Sequence, residues 1–252
     1  MIRVITATHK PYWMPTDPLY LPLQVGRAGH LTFDIAGDDT GDHISGKNAN
    51  YCELTGLYWA WKNLDVSYLG LDHYRRHFTL QRFSKRKQDV LSEADAREIL
   101  KTTDVILPKK RHYIIETTYS QYAHAHHAVD LDVTRVILTE KYPEYVNAFD
   151  RVMKQRAGHR FNMFIMKRGL ADQYCTWLFS VLFELESRLD IHDYTDNDKR
   201  VFGFVGERLL DVWLLKNGIS YKELPYIFLD RQNWIDKGLR FIGRKIKGAK
   251  LT

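Results

Sequence analysis

The stretch that decides the fold of this 252-residue chain is NANYCELTGLYWAWKNLDVSYLGLDHYRRHF, residues 48–78. Its apolar residues recur at helical spacing and predict a helix over Asn50–Leu64, with its first residue as N-cap and Glu53 completing a capping box. A short apolar run, Tyr68–Leu71, then predicts a buried strand. The strand ends in the charged and aromatic run Asp72–His77. α/β enzymes commonly place ligand-binding groups in this way, at the carboxyl end of a buried strand.

The composition is that of a globular protein with a substantial core. Hydrophobic residues make up 44% and aromatic residues 13% of the chain, and the length suits one large domain or two small ones. Cys52 and Cys175 lie in apolar patterns, which favours a reducing, cytosolic compartment. We expect neither a signal peptide nor a membrane span. No linker or repeat is visible, so we expect one domain over residues 1–230 and a basic amphipathic tail over 231–252.

The charge balance favours an anionic partner. The net charge is +6 and the pI is near 9.1, which suits nucleic acid, a phosphorylated substrate or a membrane surface. The predicted tail interleaves aromatic and basic residues, as in segments that bind an anionic membrane surface; a plain basic tail is the alternative. We find no nucleic-acid-binding motif, and the charge clusters at strand ends, so a nucleic-acid-binding protein is the less favoured hypothesis.

The rest of the chain alternates between predicted strands and helices. Further strands are predicted at Arg3–Thr8, Leu31–Ala36, Asp104–Pro108, Arg160–Lys167 and Tyr221–Leu229, and further helices at Ser92–Leu100, Val133–Lys141, Tyr142–Met153, Leu170–Leu189 and Leu209–Asn217. The segment Pro11–Pro22 has four prolines and predicts a loop. This alternation predicts an α/β fold with helices packed on a sheet.

Polar side chains follow or interrupt several predicted strands. Thr6, Thr8, His9 and Lys10 end the first strand and suit a nucleotide base or phosphate, with ordinary turn chemistry as an equal alternative. Asn162 is the polar residue in an otherwise apolar strand. It either satisfies backbone groups or faces a substrate.

A cluster of histidines and acids lies between His124 and Asp132. Zinc needs three or four convergent ligands, and the cysteines are far away in sequence. We therefore expect substrate hydrogen bonding by His127 or Asp130, with a metal hydrolase built on this cluster as the alternative. The spacing Asp130-Leu131-Asp132 also formally matches an Asp-x-Asp metal motif, but it precedes a predicted helix, where acids are favoured by the helix dipole.

Five segments together resemble one bacterial family. They are Asn50–Lys62, Gly70–Arg76, His126-His127 with Asp130, Asn162–Met166 and Gly206–Leu209. The chain is similar, over nearly its whole length, to capsular, exopolysaccharide and O-antigen (lipopolysaccharide) glycosyltransferases long classed as a domain of unknown function. The most specific part of the match is the His-Tyr-Arg-Arg segment.

The resemblance implies a GT-A-like, Rossmann-type mixed sheet flanked by helices. It implies hexose transfer from a UDP-sugar to a growing glycan or an undecaprenyl-diphosphate-linked acceptor. Some members of this family use UDP-galactofuranose with inversion. The implied location is the cytoplasm, peripheral to the inner membrane.

Such a transfer needs cations at the diphosphate leaving group. GT-A enzymes commonly hold a metal with Asp-x-Asp at a strand end, and that position here contains Asp72, His73 and Tyr74. We expect Arg75 and Arg76, with His73 and Tyr74, to bind the diphosphate of the donor, because arginine suits bidentate recognition of phosphate. They would replace or supplement a divalent ion, Mn²⁺ or Mg²⁺, for which Asp72 is the candidate ligand. Core ion pairing of the two arginines is the alternative.

An inverting transfer also needs a carboxylate that accepts the proton of the acceptor hydroxyl. Asp72 and Glu207 are the candidates, followed by Asp130. Glu207 is predicted at the start of a helix, where pairing with the helix dipole is the alternative role. We assign acceptor binding to His126, His127 and Arg208.

Overall fold

A nine-stranded mixed sheet lies at the centre of the structure. The structure is a computed structural model that describes residues 1–229, so the predicted tail lies outside the described residues. The strands are Ile2–Thr8 (β1), Tyr20–Gln24 (β2), Ala36–Gly37 (β3), Tyr68–His73 (β4), Arg76–Phe78 (β5), Val105–Pro108 (β6), Arg111–His112 (β7), Ala157–Gly158 (β8), Phe164–Lys167 (β9), Lys222–Leu224 (β10) and Tyr226–Phe228 (β11). The helices are Asn48–Tyr51 (α1), Leu54–Asn63 (α2), Glu93–Ile99 (α3), Thr118–Ala125 (α4), Ala128–Lys141 (α5), Val146–Lys154 (α6), Arg168–Arg188 (α7) and Val201–Lys216 (α8).

The strand order creates a crevice beside β1. The main path is β10-β6-β9-β4-β1-β2-β3, with β5 and β11 attached at the end of β4. From β1 the chain moves outward to β2 and β3, then returns to the other side of β1 as β4, and β1 is parallel to both of its neighbours. In open α/β sheets, ligands bind outside the carboxyl ends of the strands where the order reverses in this way. The predicted α/β fold, a mixed sheet flanked by helices, is confirmed.

Alternating side chains of the strands build a core on each face of the sheet. Ile5, Leu107 and Phe164 belong to the larger cluster, which includes α2 and α4 to α8. Val4 and Ile165, on the other face, pack with α3 in the smaller cluster. This two-residue period is the expected consequence of the pleat.

Gly70, in the middle of β4, lies where the sheet has no room for a side chain. A Cβ there would lie 2.9 Å from the carbonyl oxygen of Phe164 and 2.9 Å from Val4 Cγ2. We expect Gly70→Ala to lower the free energy of unfolding by about 2 kcal/mol, because the neighbouring backbone cannot move aside. Gly169→Ala is the matched control, since no atom lies within 4 Å of its added Cβ. Urea denaturation of both variants tests this, and equal stability would contradict the packing argument.

The predicted helix over Asn50–Leu64 is wrong in one respect. The chain forms two helices, α1 and α2, and Asn50 lies inside α1 rather than at an N-cap. Cys52 breaks the helix with φ 54° and ψ −131°, and the Asn48 side chain donates to its carbonyl at 2.7 Å. Glu53 takes the N-cap position of α2 without a side-chain capping bond, so the predicted capping box is absent and this carboxylate is available to the site.

The predictions for two strands near the N-terminus are also corrected. The strand expected at Leu31–Ala36 is reduced to Ala36–Gly37, and the real second strand, β2, begins inside the proline-rich segment. Pro22 is tolerated in β2 because β3 pairs only with Leu23 and Gln24. No ladder bond is therefore lost on the outer side of the proline.

Later boundaries differ from the predictions as well. The strand expected from Arg160 begins only at Phe164, because Phe161 and Asn162 have φ of 75° and 53°. The strand expected at Tyr221–Leu229 is split at Pro225 into β10 and β11. The last helix begins at Val201 rather than Leu209, which places Glu207 inside α8 and not at its start.

Candidate active site

A cleft of about 720 Å³ lies at the carboxyl ends of β1 and β4, within the size range of small-molecule sites. One wall comes from these strands and the turn into β5, and the other comes from α1, the start of α2 and the first turns of α8. The lining residues are Ala7, Thr8, His9, Val25, Asn48, Ala49, Cys52, Glu53, His73, Tyr74, Arg75, Arg76, Phe161, Asp196, Lys199, Arg200, Gly203, Phe204 and Glu207. The cleft thus lies at the crevice that the strand order predicts.

Arg76 is a fixed cation at this cleft. It begins β5 and pairs through its backbone with His73 and Phe228. Its guanidinium carbon lies 4.2 Å from the ring centroid of Phe161 and 4.8 Å from that of Phe228. Burial, and then the neighbouring Arg75, lower the pKa of Arg76. Its buried Nε–H has no hydrogen-bond partner among residues 1–229. A planar guanidinium at the cleft suits an anion such as phosphate.

Further basic side chains lie next to Arg76 and on two other segments of the cleft. The Arg75 guanidinium carbon lies 5.0 Å from the Tyr74 ring centroid, and His9 meets the same ring edge-on at 5.4 Å. Arg200, just before α8, lies 5.2 Å from the ring of Phe204. Burial, followed by nearby Lys10 and Arg75, lowers the pKa of His9. In the lining, four cations, Arg75, Arg76, Lys199 and Arg200, outnumber three carboxylates, Glu53, Asp196 and Glu207, which suits an anionic ligand.

Two largely buried carboxylates face these cations. The Glu53 side chain is 11% exposed, and its Oε1 accepts from Asn162 Nδ2 at 2.6 Å. The Glu207 side chain is 17% exposed and pairs with Arg208 at 3.0 Å. Burial raises the pKa of Glu53, opposed by the Asn162 hydrogen bond and by the charges of Arg200 and Arg76. The site therefore combines an anion-binding wall with a carboxylate whose proton affinity is raised.

A strained turn orients these groups. Phe161 and Asn162 both have positive φ, which non-glycine residues rarely adopt. The Phe161 carbonyl accepts from His73 Nε2 at 2.5 Å, which fixes the tautomer of His73. Burial lowers the pKa of His73 to about 4, so this imidazole is neutral at pH 7. Asn162 also donates to the carbonyl of Gly203 at 3.2 Å, so one turn ties β4, α2 and α8 together.

Two glycines let α8 approach the break between α1 and α2 closely. A Cβ at Gly203 would lie 3.2 Å from Cys52 Sγ, and one at Gly206 would lie 2.9 Å from Leu54 Cδ1. The close approach brings Phe204 and Glu207, which follow these glycines, to the cleft.

The structure brings together only part of the residue set predicted from sequence. Those that line the cleft are Thr8, His9, His73, Tyr74, Arg75, Arg76 and Glu207. The residues outside its lining, within the part of the chain that the structure describes, are Thr6, Lys10, Asp72, Asp130, His126, His127, Asn162 and Arg208. The Thr8 hydroxyl donates to the Lys10 carbonyl at 2.6 Å, which is the turn chemistry expected as the alternative.

Asp72 lies beneath the cleft rather than in it. Its side chain is fully buried, with Oδ1 accepting from Thr6 Oγ1 at 2.8 Å and Oδ2 lying 2.8 Å from His77 Nδ1. Both oxygens are thus bonded within the protein. No group of three or more His, Cys, Asp or Glu side chains in residues 1–229 could hold a metal ion.

The histidine cluster forms a supporting network. Asp130 is buried and accepts from Tyr122 at 2.6 Å and Tyr194 at 2.7 Å. His126 lies 3.0 Å from Asp198 and stacks on Phe204 with ring centroids 4.2 Å apart. The other members are also engaged: His127 stacks on Tyr194, His124 bonds to Glu116, and Arg208 bonds to Gln121 and to the carbonyl of Phe204. The network holds the turn that carries Lys199 and Arg200 to the cleft.

Several residues of the cleft, above all Glu53 and Arg200, are not among those predicted from the sequence. Glu53 lies in the decisive stretch, but the helical pattern there predicts a capping role for it. The sequence does contain a signal for this residue. A carboxylate placed among closely spaced apolar residues of a helix becomes buried, and a buried carboxylate is unusual. Arg200 follows a polar loop in the sequence, and nothing local distinguishes it from a solvated cation.

Comparison with known proteins identifies the family. Residues 3–218 match the family described as a domain of unknown function, DUF4422. The chain belongs to this family. Among solved structures, the DUF4422 chain is similar to the apo structure of the WbbM bifunctional glycosyltransferase, with a TM-score of 0.84 and 32% identity. The match covers 91% of this chain and 45% of that chain, so the chain spans less than half of WbbM. A search of curated proteins found no match.

The comparison confirms the predicted likeness to glycosyltransferases at the level of the fold and the family. The DUF4422 chain has, within residues 1–229, no helix that is long and apolar enough to cross a bilayer.

Proposed function

We propose that this DUF4422 chain is a glycosyltransferase that uses a nucleotide-diphosphate sugar. The observation that carries the proposal is the cleft itself, where Arg75 and Arg76 lie opposite Glu53 and Glu207 at the carboxyl ends of the switch-point strands. The likeness to WbbM supports it. The donor we propose is a UDP-sugar, and the family resemblance favours galactofuranose transferred with inversion.

We propose that the two walls of the cleft have different roles in the reaction. The acceptor hydroxyl oxygen attacks the anomeric carbon, the bond from that carbon to the diphosphate oxygen breaks, and the electron pair leaves with the nucleoside diphosphate. Arg75 and Arg76 stabilise the charge that develops on the diphosphate. The hydroxyl proton passes to a carboxylate on the opposite wall.

We assign proton acceptance to Glu53 in preference to Glu207. Glu207 pairs at 3.0 Å with Arg208, a cation that is only 4% exposed. Protonating Glu207 would leave that buried cation without its partner, which is costly. In the described residues, the basic group within ion-pair distance of Glu53 is His73 Nε2 at 3.9 Å, and this imidazole is neutral at pH 7. A hydrogen bond from the side-chain amide of Asn162 holds Glu53 in place. Asp72 and Asp130, the other acids proposed from sequence, are enclosed by partners, and we propose that they support the two walls.

The residues present do not fit a divalent metal held by Asp72, because both of its oxygens are bonded to Thr6 and His77. We therefore assign no step to a metal. For the acceptor we propose a glycan or a lipid-linked glycan at the inner membrane surface. We propose that the predicted acceptor residues have an indirect role on the acceptor side of the cleft, by holding Phe204 in place. These residues are His126, which stacks on Phe204, with His127 and Arg208.

Nucleotide binding tests the proposal directly. We expect UDP at about 100 times its Kd to raise the Tm of the chain by about 5 to 10 °C, in EDTA as well as with Mn²⁺, because fixed arginines bind the diphosphate. Uridine, which lacks the diphosphate, is the control and should give little shift. Differential scanning fluorimetry with UDP, GDP, ADP and their sugars measures this. A protein that no nucleoside diphosphate stabilises would be incompatible with the proposal.

A further inference from the structure

Two loops outside the cleft carry highly exposed apolar side chains. Phe83 is 84% exposed in the loop 79–90, and Ile114 and Ile115 are 92% and 70% exposed in the loop 109–117, which includes the two-residue strand β7. Single exposed apolar residues are common on soluble proteins. Here, however, three large ones occur at the tips of two loops, and none of them lines the cleft.

Both loops are fixed at their bases, so the tips are held away from the core. The first is closed by the bridge between Thr79 and Val90. In the second, Tyr113 N–H donates to the carbonyl of Arg156 and Thr118 N–H donates to that of Gln155, each at 2.7 Å. Ile114 and Ile115 therefore project from a loop with anchored ends.

The two loops leave the fold at one place. Thr79 N–H donates to the Pro225 carbonyl at 3.0 Å, and Lys109 N–H donates to the Leu224 carbonyl at 2.9 Å. The bases of the loops therefore meet at the short connection between β10 and β11. Strands β4 and β6 run in the same direction, because both are antiparallel to β9. The second loop, which follows β6, therefore leaves the sheet at the same end as the cleft, the carboxyl end of β4.

Exposed basic side chains occur along both loops. Arg82, Lys85 and Lys87 are exposed in the first loop, and Lys109 and Arg111 in the second. Arg86 is also exposed but is paired with Asp89. Apolar tips flanked by cations match the interface of an anionic bilayer, in which apolar groups enter the acyl boundary and cations meet the phosphates.

We propose that the loops 79–90 and 109–117 form a docking surface for an anionic phospholipid bilayer. Phe83, Ile114 and Ile115 enter the interface, and the flanking cations bind the headgroup phosphates. This surface goes beyond the proposed transferase activity. Where that activity holds, docking brings the cleft edge of the sheet to a membrane-bound acceptor.

Vesicle binding by the full chain tests the surface. We expect co-sedimentation with vesicles of phosphatidylcholine mixed with phosphatidylglycerol, weakened by salt, and little with phosphatidylcholine alone. The triple variant Phe83→Ser, Ile114→Ser, Ile115→Ser should bind at least about tenfold more weakly, because three apolar anchors are lost. The pair Arg82→Gln, Lys85→Gln should weaken binding to the anionic vesicles. Matched controls are Val136→Ser on α5, 49% exposed, and Arg151→Gln with Lys154→Gln on α6.

Three outcomes would overturn the docking surface. They are unchanged vesicle binding in the triple variant, equal binding to neutral vesicles, and a dimer in light scattering that the triple variant abolishes. The last would identify the tips as a contact between copies. UDP thermal shifts on the same variants should be unchanged because the tips lie outside the cleft. A chain that binds vesicles but no nucleotide would reject the transferase proposal alone.

Discussion

Arg76→Ala is expected to lower sugar transfer by about 10²- to 10³-fold, the usual loss when a group that stabilises transition-state charge is removed. UDP binding should weaken as well, since the guanidinium is held in place by Phe161 and Phe228 before any ligand arrives. Arg76→Lys should recover only part of the loss, because an ammonium keeps the charge but not the planar stacking. UDP release assays and calorimetry with UDP measure the two effects.

The control is Arg151→Ala, which removes an exposed cation on α6 far along the chain from the cleft. It should leave both UDP affinity and transfer unchanged. Arg76 pairs in the sheet through its backbone, so its replacement should preserve the circular dichroism spectrum. Unchanged UDP affinity in Arg76→Ala, together with a lower Tm, would instead assign this side chain a purely structural role.

The position of Arg76 could be predicted from sequence because it depends on local order. A buried strand, an acid and a cationic run follow one another in the chain, and the parallel sheet places such a strand end beside that of β1. The contact between Asp72 and His77 depends on local order as well. A turn after His73 folds β5 back against β4, with His73 opposite Arg76, and this brings His77 back to Asp72.

The opposite wall could not be predicted in the same way, because it depends on contacts between distant segments. Glu53 becomes a buried site residue only where Cys52 breaks the helix and Gly203 of α8 packs against it. Its partner Asn162 lies 109 residues away in sequence and projects from a turn with positive φ. Periodicity and local order can be seen in a single sequence. Which helices pack closely against each other cannot. The sequence therefore predicts a capping role for Glu53 and a place in the site for Asp130, and the structure shows the opposite arrangement.

Glu53→Gln is expected to reduce transfer by about 10²- to 10⁴-fold, as removal of a general base does. The substitution keeps the shape and the oxygen that accepts from Asn162, so the Tm at pH 7 should not fall. The rate of the unmodified chain should also decline on acidification, since the base must be ionised. Burial raises the pKa of Glu53 above its ordinary 4.5, so the acid limb of kcat/KM should lie above that pH. His73, with a pKa of about 4, stays neutral over this range.

A second variant tests the same assignment through the charge of the other wall. Arg76 lowers the pKa of Glu53 by electrostatic attraction, so the residual activity of Arg76→Ala should show an acid limb displaced to higher pH. Glu207→Gln is the matched carboxylate control. It should lose stability because it leaves Arg208 buried without its ion pair, yet keep the acid limb of the unmodified chain. A profile that loses its acid limb in Glu207→Gln and retains it in Glu53→Gln would transfer the proton-accepting role to Glu207.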